Sequence, residues 1–326
     1  MHSYVYESKK CDYEKLHLSI IIPVYRCEKC LQELHIRLTN TLKKITTEYE
    51  IILVNDSSPS NDWFIIKSLV DIDSKVVGIN LSKNFGQYNA VSAGLDYSMG
   101  KWAVIMDCDL QDQPEEILKL YQKAEEGYDI VVGRRDLRQD RFFRKITSKI
   151  FYKLFGYLTD SRQNESVSQF GIYNRKVINS VISMKEKLRF FPTMIQWVGF
   201  NSTSIYVTHD ERGDGKSSYS LKKLFTLAID VIIAFSDKPL RLTVKLGLLI
   251  ALISFVYALY IFYGAITGIR NIEGWASLVV SIWFFSGMVI FILGIIGIYI
   301  SRIFDEVKNR PIYIIDEVYK NNKNKF

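Results

Sequence analysis

The sequence predicts an α/β protein, a mostly parallel sheet with helices on both faces, joined to a C-terminal hairpin of two membrane-spanning helices. First, short apolar runs rich in β-branched residues alternate with longer stretches of helical periodicity. Second, these runs are almost continuously apolar, which is typical of parallel strands buried on both faces. Third, two long uncharged stretches lie in the last quarter of the 326-residue chain.

Five apolar runs are predicted to form strands because turn-forming or polar residues bound each of them. They are residues 18–24, 49–54, 76–81, 102–106 and 128–132. Apolar residues at helical spacing predict helices between them. These helices span residues 28–45, 61–71, 87–99 and 114–126.

In parallel sheets of this kind, ligands bind beyond the carboxyl ends of the strands. The residues directly after the five runs are therefore the expected site. They are residues 23–25, 55–58, 82–87, 107–112 and 133–135. No G-x-G-x-x-G motif follows the first run, and no G-x-x-x-x-G-K-[ST] loop is present, so the dinucleotide oxidoreductase and P-loop classes lose their main support.

The membrane hairpin is predicted over residues 246–269 and 274–301, which carry no charge. At about 1.5 Å per residue either stretch exceeds the ~30 Å hydrocarbon core of a bilayer. Basic residues flank the pair, among them Lys245 before it and Arg302 after it. The positive-inside rule therefore places residues 1–240 and both termini in the cytoplasm, which predicts a multi-pass protein of the inner (plasma) membrane.

The stretch before the first span has apolar residues at helical spacing, which favours a helix lying in the plane of the membrane interface. A helix packed on the soluble domain is the alternative. The predicted organisation is a soluble domain over residues 1–215, an interfacial helix region over 216–240, two spanning helices within 241–303 and a cytoplasmic tail over 304–326.

Composition excludes several classes of protein. A hydrophobic fraction of 48% is too high for a disordered chain. Four cysteines in so long a chain do not predict a disulfide framework, and unpaired cysteines fit a cytoplasmic domain. Cys27 and Cys30 form a C-x-x-C at a predicted helix start, but no second cysteine pair is available for zinc, and we expect neither a redox nor a zinc role. The net charge of +7 indicates affinity for anionic lipid, since no nucleic-acid motif accompanies it.

Asp107 and Asp109 stand two residues apart at the end of the fourth run. Their carboxylates would repel each other unless a cation lay between them, and oxygen ligands favour Mg²⁺ or Mn²⁺, which also bridge substrate phosphates. A D-x-D pair alone is a weak signal, but its place at a sheet edge near Asp56 strengthens it. Asp56 could accept hydrogen bonds from a nucleobase or ribose, or it could form an Asx-type turn.

Four segments in order resemble the successive motifs of family 2 glycosyltransferases of the GT-A fold. They are residues 22–25 (IPVY), 54–58 (VNDSS), 84–87 (NFGQ) and 107–112 (DCDLQD). The subgroup resembled is the polyprenyl-phosphate glycosyltransferases, which include dolichol-phosphate mannose synthases and undecaprenyl-phosphate sugar transferases. The resemblance runs from about residue 18 to residue 310, and the C-terminal hairpin is similar to the membrane-anchored branch of that subgroup.

The resemblance implies an inverting transfer of a sugar from a nucleotide-diphosphate sugar to a polyprenyl (undecaprenyl) phosphate. The implied donor nucleotide-binding residues are Pro23, Tyr25, Asp56, Lys83 and Asp107. Asp109 and Asp107 would bind the Mg²⁺ or Mn²⁺ cofactor, and Gln111 would lie close to the sugar and the diphosphate. A bridging cation stabilises the charge that develops on a diphosphate leaving group.

A lipid phosphate acceptor is an anion that arrives at the membrane face, so basic residues suit it. The expected phosphate-binding residues are Arg134, Arg135, Arg212 and Lys216. Glycines within residues 211–219 would permit close approach of the backbone to a phosphate. Solvated charges or contacts with lipid headgroups are the alternative for most of these residues.

One position departs from the family pattern. Many relatives carry an Asp two residues before an Arg in a G-D-F-R-L-like segment, whereas residues 168–175 place Gln169 there. Glutamine cannot accept a proton at neutral pH, and an ionised phosphate acceptor hardly needs a base. We expect Gln169 to act with Asp109 and Gln111 in catalysis by positioning and electrostatics, with Asp109 or Glu165 as weaker base candidates.

Two alternatives stay open at this point. One is a family 2 enzyme acting on a lipid-linked saccharide or a glycan, and the other is a non-catalytic, membrane-bound GT-A binding protein, which the presence of Asp56 and Asp109 disfavours. The expected partners are the nucleotide sugar, the polyprenyl phosphate and the bilayer, with no nucleic acid. Assembly into a homo-oligomer is compatible with a single-hairpin anchor, and the sequence does not specify the sugar or the nucleotide.

Overall fold

The computed structural model describes residues 16–134, 156, 167–184, 186–208, 230–234, 236–267 and 274–321. The described residues belong to two compact units. The first is drawn from Met1–Lys153, Ser161–Ser218 and Pro311–Phe326, and the second from Leu154–Asp160 and Tyr219–Arg310.

An eight-stranded sheet lies at the centre of the first unit, with strand order β7-β5-β6-β4-β1-β2-β3-β8. Its strands are β1 (Leu18–Val24), β2 (Tyr49–Asn55), β3 (Val76–Leu81), β4 (Trp102–Ile105), β5 (Ile130–Arg134), β6 (Val167–Asn174), β7 (Ser202–Tyr206) and β8 (Ile315–Lys320). The central strands β4, β1, β2 and β3 pair in parallel, as do β5 and β7. Strand β6 runs antiparallel between β4 and β5, and β8 runs antiparallel along β3.

Helices follow the strands along the chain. The helices of the first unit are α1 (Leu31–Leu42), α2 (Asp62–Ile72), α3 (Gln87–Tyr97), α4 (Ile117–Glu125), α5 (Arg175–Ser183) and α6 (Phe191–Val198). A 3-10 turn over Pro114–Glu116 precedes α4 and carries proline at its start, where the missing N–H costs nothing.

Both faces of the sheet are covered. Strand β1 is buried along its whole length, and its Ile20 and Ile22 pack in one cluster with residues of α1, α2 and α4. On the opposite face, a Cβ added to Gly94 of α3 would lie 2.5 Å from Cγ2 of Ile21, so glycine permits close contact between helix and strand. The predicted fold class is therefore confirmed, because alternating side chains of a fully buried strand meet helices on both sides.

The local elements agree closely with the sequence predictions. Strands β1 and β3 have the predicted bounds, and the other three predicted strands are displaced by at most two residues at either end. Helix α1 is shorter than the predicted residues 28–45, since residues 28–30 form a turn before it. Strands β6, β7 and β8 were not predicted.

The tail predicted over residues 304–326 contributes an edge strand to the sheet. In β8, Tyr319 pairs with Gly78 of β3, and Glu317 accepts a hydrogen bond from Trp63 Nε1 at 3.3 Å. The chain therefore returns to the first unit after the two apolar helices.

The expectation that the cysteines are unpaired is wrong for Cys27 and Cys108, which form a disulfide across a sequence separation of 81 residues. Cys27 follows β1 and Cys108 follows β4, and these two strands are neighbours in the sheet. Composition cannot reveal this pairing, because the sheet topology is what brings the two loops together.

The second unit contains two helices long and apolar enough to cross a membrane, α7 (Lys238–Ile266) and α8 (Trp275–Val307). The qualifying stretches are Lys238–Tyr257 and Leu278–Val307. Helix α7 begins before the first predicted span, which starts at residue 246, and helix α8 extends past the second, which ends at residue 301. Of the predicted interfacial region over residues 216–240, residues 216–229 lie outside the described residues.

Candidate functional site

The candidate site lies at the carboxyl edge of the central parallel strands. Strands β1, β2, β3 and β4 all end at this edge, so the loops that follow them are neighbours. Adjacent strands are about 4.8 Å apart, which brings the four loops within a few side-chain lengths of each other.

Asp56 follows β2 and organises the loop that follows β3. Its Oδ1 accepts a hydrogen bond from Phe85 N at 2.7 Å and its Oδ2 accepts one from Gly86 N at 2.9 Å. Asn84 Nδ2 donates to the Asp56 carbonyl oxygen at 3.2 Å. The carboxylate is only 3% exposed. Burial raises the pKa of Asp56 above its ordinary value, and the two backbone donors oppose part of that rise.

Gln87 links this loop to the acidic segment after β4. Its Nε2 donates to Asp107 Oδ1 at 2.6 Å and approaches Gln169 Oε1 at 3.4 Å. Gly86 donates to Asp56 and the next residue, Gln87, donates to Asp107, so consecutive residues at the start of α3 contact both carboxylates. Gly86 has φ +93°, a conformation that glycine adopts without strain.

Gln169 on β6 completes this cluster. It comes close to Asp107 because β6 pairs with β4, with Gly171 opposite Ile105. Its Nε2 is sealed from solvent and has no hydrogen-bond partner among the described residues. A buried N–H group without an acceptor costs free energy, so this amide is suited to meet an oxygen that arrives from outside the chain.

The acidic segment itself turns sharply at Leu110, which has φ +61°. Asp109 Oδ1 accepts a hydrogen bond from Gln111 N at 3.2 Å, which closes the turn. The side chains of Asp109 and Gln111 are half-buried, and Asp112 is buried.

Non-glycine residues with positive φ concentrate at this edge. Four such residues occur in the described part of the chain, and Arg26, Ser57 and Leu110 lie in the loops that follow strands β1, β2 and β4. A residue in this region costs about 1 kcal/mol or more, and strain of this kind clusters at functional sites. The positive-φ residues thus indicate the same location for the functional site as the polar side chains do.

The loop after β1 is anchored from below by Asp62 at the start of α2. This carboxylate has no exposed surface and accepts hydrogen bonds from Cys27 N at 3.1 and 3.3 Å and from Ser60 Oγ at 3.0 Å. Tyr25 in the same loop is 42% exposed, so its ring is open to a ligand.

The remaining predicted site residues divide into two groups. Pro23, Lys83 and Arg134 lie at the ends of β1, β3 and β5, and the Arg134 guanidinium lies 5.5 Å from the centre of the Tyr206 ring. The predicted Arg135, Arg212 and Lys216, together with Glu165, lie outside the described residues.

The residues present fit a divalent cation that is shared with a substrate. No group of three or more His, Cys, Asp or Glu side chains suited to a metal occurs within the described ranges. Asp107 and Asp109 supply hard oxygen ligands two residues apart, which matches Mg²⁺ or Mn²⁺ held by one or two carboxylates plus substrate phosphates.

Two features of this site lie outside what the sequence predicts. Gln87 belongs to the NFGQ segment at residues 84–87 and has no predicted role, although its place one residue after a glycine at a helix start is a recognisable signal. The Cys27–Cys108 bridge had no local signal, because it depends on the order of strands in the sheet.

Comparisons with known proteins identify the family of the chain. Residues 19–182 match the family described as Glycosyl transferase family 2. The chain is 39% identical over 305 residues to the uncharacterized glycosyltransferase YkcC of Bacillus subtilis (strain 168), which covers 93% of this chain and 94% of the relative. It is 35% identical over 322 residues to the undecaprenyl-phosphate 4-deoxy-4-formamido-L-arabinose transferase of Proteus mirabilis (strain HI4320), which covers 96% and 98%.

A solved structure of glucosyl-3-phosphoglycerate synthase from Mycobacterium tuberculosis, in complex with Mn²⁺ and uridine-diphosphate-glucose, is also similar. It is 12% identical with a TM-score of 0.48 and covers 70% of this chain and 80% of that chain, a likeness too distant to transfer residue roles. Since the two sequence relatives cover nearly the whole chain at more than a third identity, the chain belongs to glycosyl transferase family 2 and is a glycosyltransferase.

Proposed function

We propose that this glycosyltransferase is anchored in the membrane and moves a sugar, with inversion, from a nucleotide-diphosphate sugar to a polyprenyl phosphate. One observation carries the proposal: a single chain joins the edge that holds Asp56 and Asp107 to the long apolar helices α7 and α8. A soluble donor and a lipid acceptor are the two substrates that such a chain is equipped to bring together.

The donor half of the site uses the loops after β1, β2 and β4. The exposed ring of Tyr25 stacks on the nucleobase, and the turn that Asp56 holds at Phe85 and Gly86 shapes the nucleotide-binding wall. Lys83, next to this turn, faces the donor's negative charge. Pro23 rigidifies the end of β1 because its ring fixes φ.

Asp107 and Asp109 would hold the divalent cation, and Gln87 fixes the orientation of the Asp107 carboxylate. When bound, Mg²⁺ or Mn²⁺ neutralises the charge that develops on the leaving diphosphate. Gln111 follows the turn at Leu110 and lies beside the transferred sugar. Placement of the charge-stabilising groups before the reaction is the main source of catalysis here.

Gln169 acts as a hydrogen-bond donor to the phosphate of the acceptor. Its Nε2 lacks a partner among the described residues, and glutamine cannot take up a proton. The attacking oxygen belongs to a phosphate that is already ionised near neutral pH, so the amide has only to hold that phosphate in line with the sugar. Arg134, Arg135, Arg212 and Lys216 supply the positive charge that attracts it.

The acceptor class rests on the relatives and on the apolar helices. The Proteus mirabilis relative carries undecaprenyl phosphate in its name, and its match extends over 96% of this chain. The qualifying stretches of α7 and α8 are almost entirely exposed in the structure, which is the expected state of lipid-facing helices.

Chain connectivity supports a hairpin with both ends on one side of the membrane. The chain leaves the first unit before α7 and returns to its sheet at β8 after α8. Because one sheet cannot straddle a bilayer, the chain crosses it an even number of times. The basic residues that flank the helices place both ends in the cytoplasm.

The test is a transfer assay with the full-length enzyme in detergent or liposomes. Undecaprenyl phosphate and MnCl₂ are combined with a panel of nucleotide sugars, and lipid-linked product is followed by thin-layer chromatography and mass spectrometry. We expect product with at least one donor, loss of product with EDTA, and at least a 100-fold lower rate for Asp109→Asn. Asp71→Asn, at the far end of α2, is the matched control and keeps its rate.

Product that requires a lipid-linked saccharide or a glycan, and does not form with undecaprenyl phosphate, would replace the proposed acceptor. Full activity in EDTA, or in Asp109→Asn, would remove the proposed role of the acidic segment.

A further inference from the structure

The disulfide between Cys27 and Cys108 joins two loops of the candidate site. Both cysteines are buried, with 7% and 6% exposure, and their Cα atoms are 6.1 Å apart. That separation lies within the range of ordinary disulfides, so neither strand must move for the bond to form.

The disulfide joins the two segments that carry proposed donor-binding residues. Cys108 lies between Asp107 and Asp109, and Cys27 lies two residues after Tyr25. Cys27 N is held by the buried Asp62 carboxylate, so the β1 loop is a fixed support to which the acidic segment is tied. A covalent tie at this point limits how far Asp107 and Asp109 can move from Tyr25.

We propose that Cys27 and Cys108 form a reversible oxidation site whose disulfide preorganises the enzyme for its nucleotide donor. The inference rests on the proposed function, since it assigns a controlling role to a bond beside the donor site. In the dithiol form this covalent tie is absent, and the described contacts that still hold the acidic segment include the hydrogen bonds from Gln87 to Asp107 and from Gln111 to Asp109.

The oxidation balances with a peroxide as the oxidant. One thiolate attacks hydrogen peroxide and becomes a sulfenic acid as the O–O bond breaks, and the hydroxide that leaves takes up a proton to become water. The second thiol then attacks that sulfur, the S–O bond breaks, the S–S bond forms and a second water leaves. Each sulfur loses one electron, and the two electrons reduce the peroxide oxygens. A dithiol reductant reverses the reaction by two successive exchanges and is itself oxidised to a disulfide.

The direction of the effect on binding follows from conformational entropy. A ligand that binds a segment able to move must order it, and that cost reduces its affinity. The disulfide has tied the acidic segment to the fixed β1 loop before the ligand arrives. Oxidised enzyme therefore binds the metal–nucleotide complex more tightly than reduced enzyme does, and by linkage the bound nucleotide slows reduction of the disulfide.

Cys30 provides the matched control. It lies three residues after Cys27, at the start of α1, and takes no part in the described bridge. Its replacement removes a nearby thiol and leaves the Cys27–Cys108 pair intact.

The experiment uses the full-length enzyme in detergent, treated either with hydrogen peroxide or with dithiothreitol that is then removed without air. Peptide mapping with and without reduction identifies the Cys27–Cys108 linkage, and calorimetry measures binding of UDP with MnCl₂ to each form. We expect at least threefold tighter binding to the oxidised form, a higher unfolding temperature for that form, and the same two differences in Cys30→Ser. Cys27→Ser and Cys108→Ser should bind like reduced enzyme under both treatments.

Three results would overturn the inference: no Cys27–Cys108 peptide after peroxide, equal UDP affinity in the two forms, or loss of the effect in Cys30→Ser alone. Failure of the proposed function looks different. In that case the bridge forms and raises the unfolding temperature, but neither form binds UDP or any other nucleotide of the donor panel, which would overturn the donor site and the coupling with it.

Discussion

At the scale of single residues, the site depends on two consecutive positions at the start of α3. Gly86 donates its backbone N–H to Asp56, and Gln87 donates its side-chain amide to Asp107. Gly86 adopts the positive φ that the turn requires, and the side chain of Gln87 is long enough to contact Asp107. A change at either position is therefore expected to affect the donor site more than its modest burial would suggest.

Gln87→Ala removes the hydrogen bond that orients Asp107. A hydrogen bond to a charged group is worth about 1.5–3 kcal/mol, and loss of about 1.4 kcal/mol from the transition state lowers kcat about 10-fold. Because the carboxylate then points less favourably at the cation, the Mn²⁺ concentration for half-maximal rate should rise. Steady-state kinetics over a Mn²⁺ series measures both effects.

Gln122→Ala, an exposed position on α4, is the control for Gln87→Ala and should leave kcat and the Mn²⁺ requirement unchanged. A normal Mn²⁺ requirement in Gln87→Ala, combined with a lower unfolding temperature, would reduce Gln87 to a structural residue.

Gln169→Glu tests whether the amide donates a hydrogen bond to the acceptor phosphate. Glutamate has the same size but presents an anion to an anion, so KM for undecaprenyl phosphate should rise about 10-fold or more, and further than in Gln169→Ala. Initial rates over a lipid phosphate series, at saturating donor, measure the difference. A Gln169→Glu enzyme that is faster than Gln169→Ala would show instead that a base at this position is useful.

Asp56 gives the protein a dependence on pH with a definite sign. Burial raises the pKa of Asp56 in the folded state, so between the ordinary value of 3.8 and the raised value the folded state retains a proton that the unfolded state has lost. Stability contributed by this group therefore falls as pH rises through that window and is constant above it. Asp56→Asn lacks the carboxyl group, so its stability should not show this decline with rising pH.

Thermal unfolding of full-length enzyme and of Asp56→Asn, from pH 3 to pH 7, measures that difference. The variant should gain stability relative to the native sequence as pH rises through the window, whatever its stability at neutral pH. If the stability of the variant relative to the native sequence instead fell with rising pH, hydrogen bonds rather than burial would dominate the pKa of Asp56.

At the scale of elements, the local sequence pattern is sufficient to predict the parallel strands of the sheet's core. It is insufficient to predict the strands at the edges of the sheet. Strand β1 was predicted with its observed bounds because its residues are apolar and β-branched and end in turn chemistry. Strand β8 lies in the segment predicted as a tail, because the adjacent charged residues Asp316 and Glu317 interrupt its apolar pattern. Its pairing partner β3 lies more than 200 residues earlier, and no local pattern records that distance.

The same distinction holds within the site. Asp56 and Asp107 could be predicted because each follows a predicted strand, and Gln169 could be predicted from the resemblance of residues 168–175 to a family segment. The contact between Gln87 and Gln169 could not, since it requires β6 to lie beside β4 in antiparallel pairing. The Cys27–Cys108 bond is hidden for the same reason.

The C-terminal segment is held to the first unit by Tyr313, whose hydroxyl donates to Asp96 of α3. Burial raises the pKa of Tyr313, so the hydroxyl is neutral and able to donate. Tyr313→Phe should cost about 1–2 kcal/mol and lower the unfolding temperature by about 3–6 °C. Tyr206→Phe, at a side chain that is 67% exposed, is the control and should shift it by less than about 1 °C.

Equal unfolding temperatures for Tyr313→Phe and the native sequence would show that the other contacts of the segment, among them the β3–β8 pairing, suffice to hold it. Differential scanning fluorimetry of purified full-length protein is sufficient for the comparison.

At the scale of the whole molecule, β8 bears on the proposed membrane topology. The sheet contains strands from before α7 and from after α8 in the sequence. If α7 and α8 span the membrane as proposed, the segments before and after them lie on the same side of it, because one sheet cannot straddle a bilayer.

Cysteine labelling tests that topology directly. In a variant whose native cysteines are replaced by serine, Asn271→Cys lies between α7 and α8, and Asn321→Cys directly follows β8. A membrane-impermeant maleimide added to intact cells should label Asn271→Cys and reach Asn321→Cys only after permeabilisation. Ser202→Cys on β7, a strand of the same sheet, should behave like Asn321→Cys. Labelling of all three positions only after permeabilisation would mean that the two helices do not span the membrane, and opposite labelling of Ser202→Cys and Asn321→Cys would contradict a sheet that holds both β7 and β8.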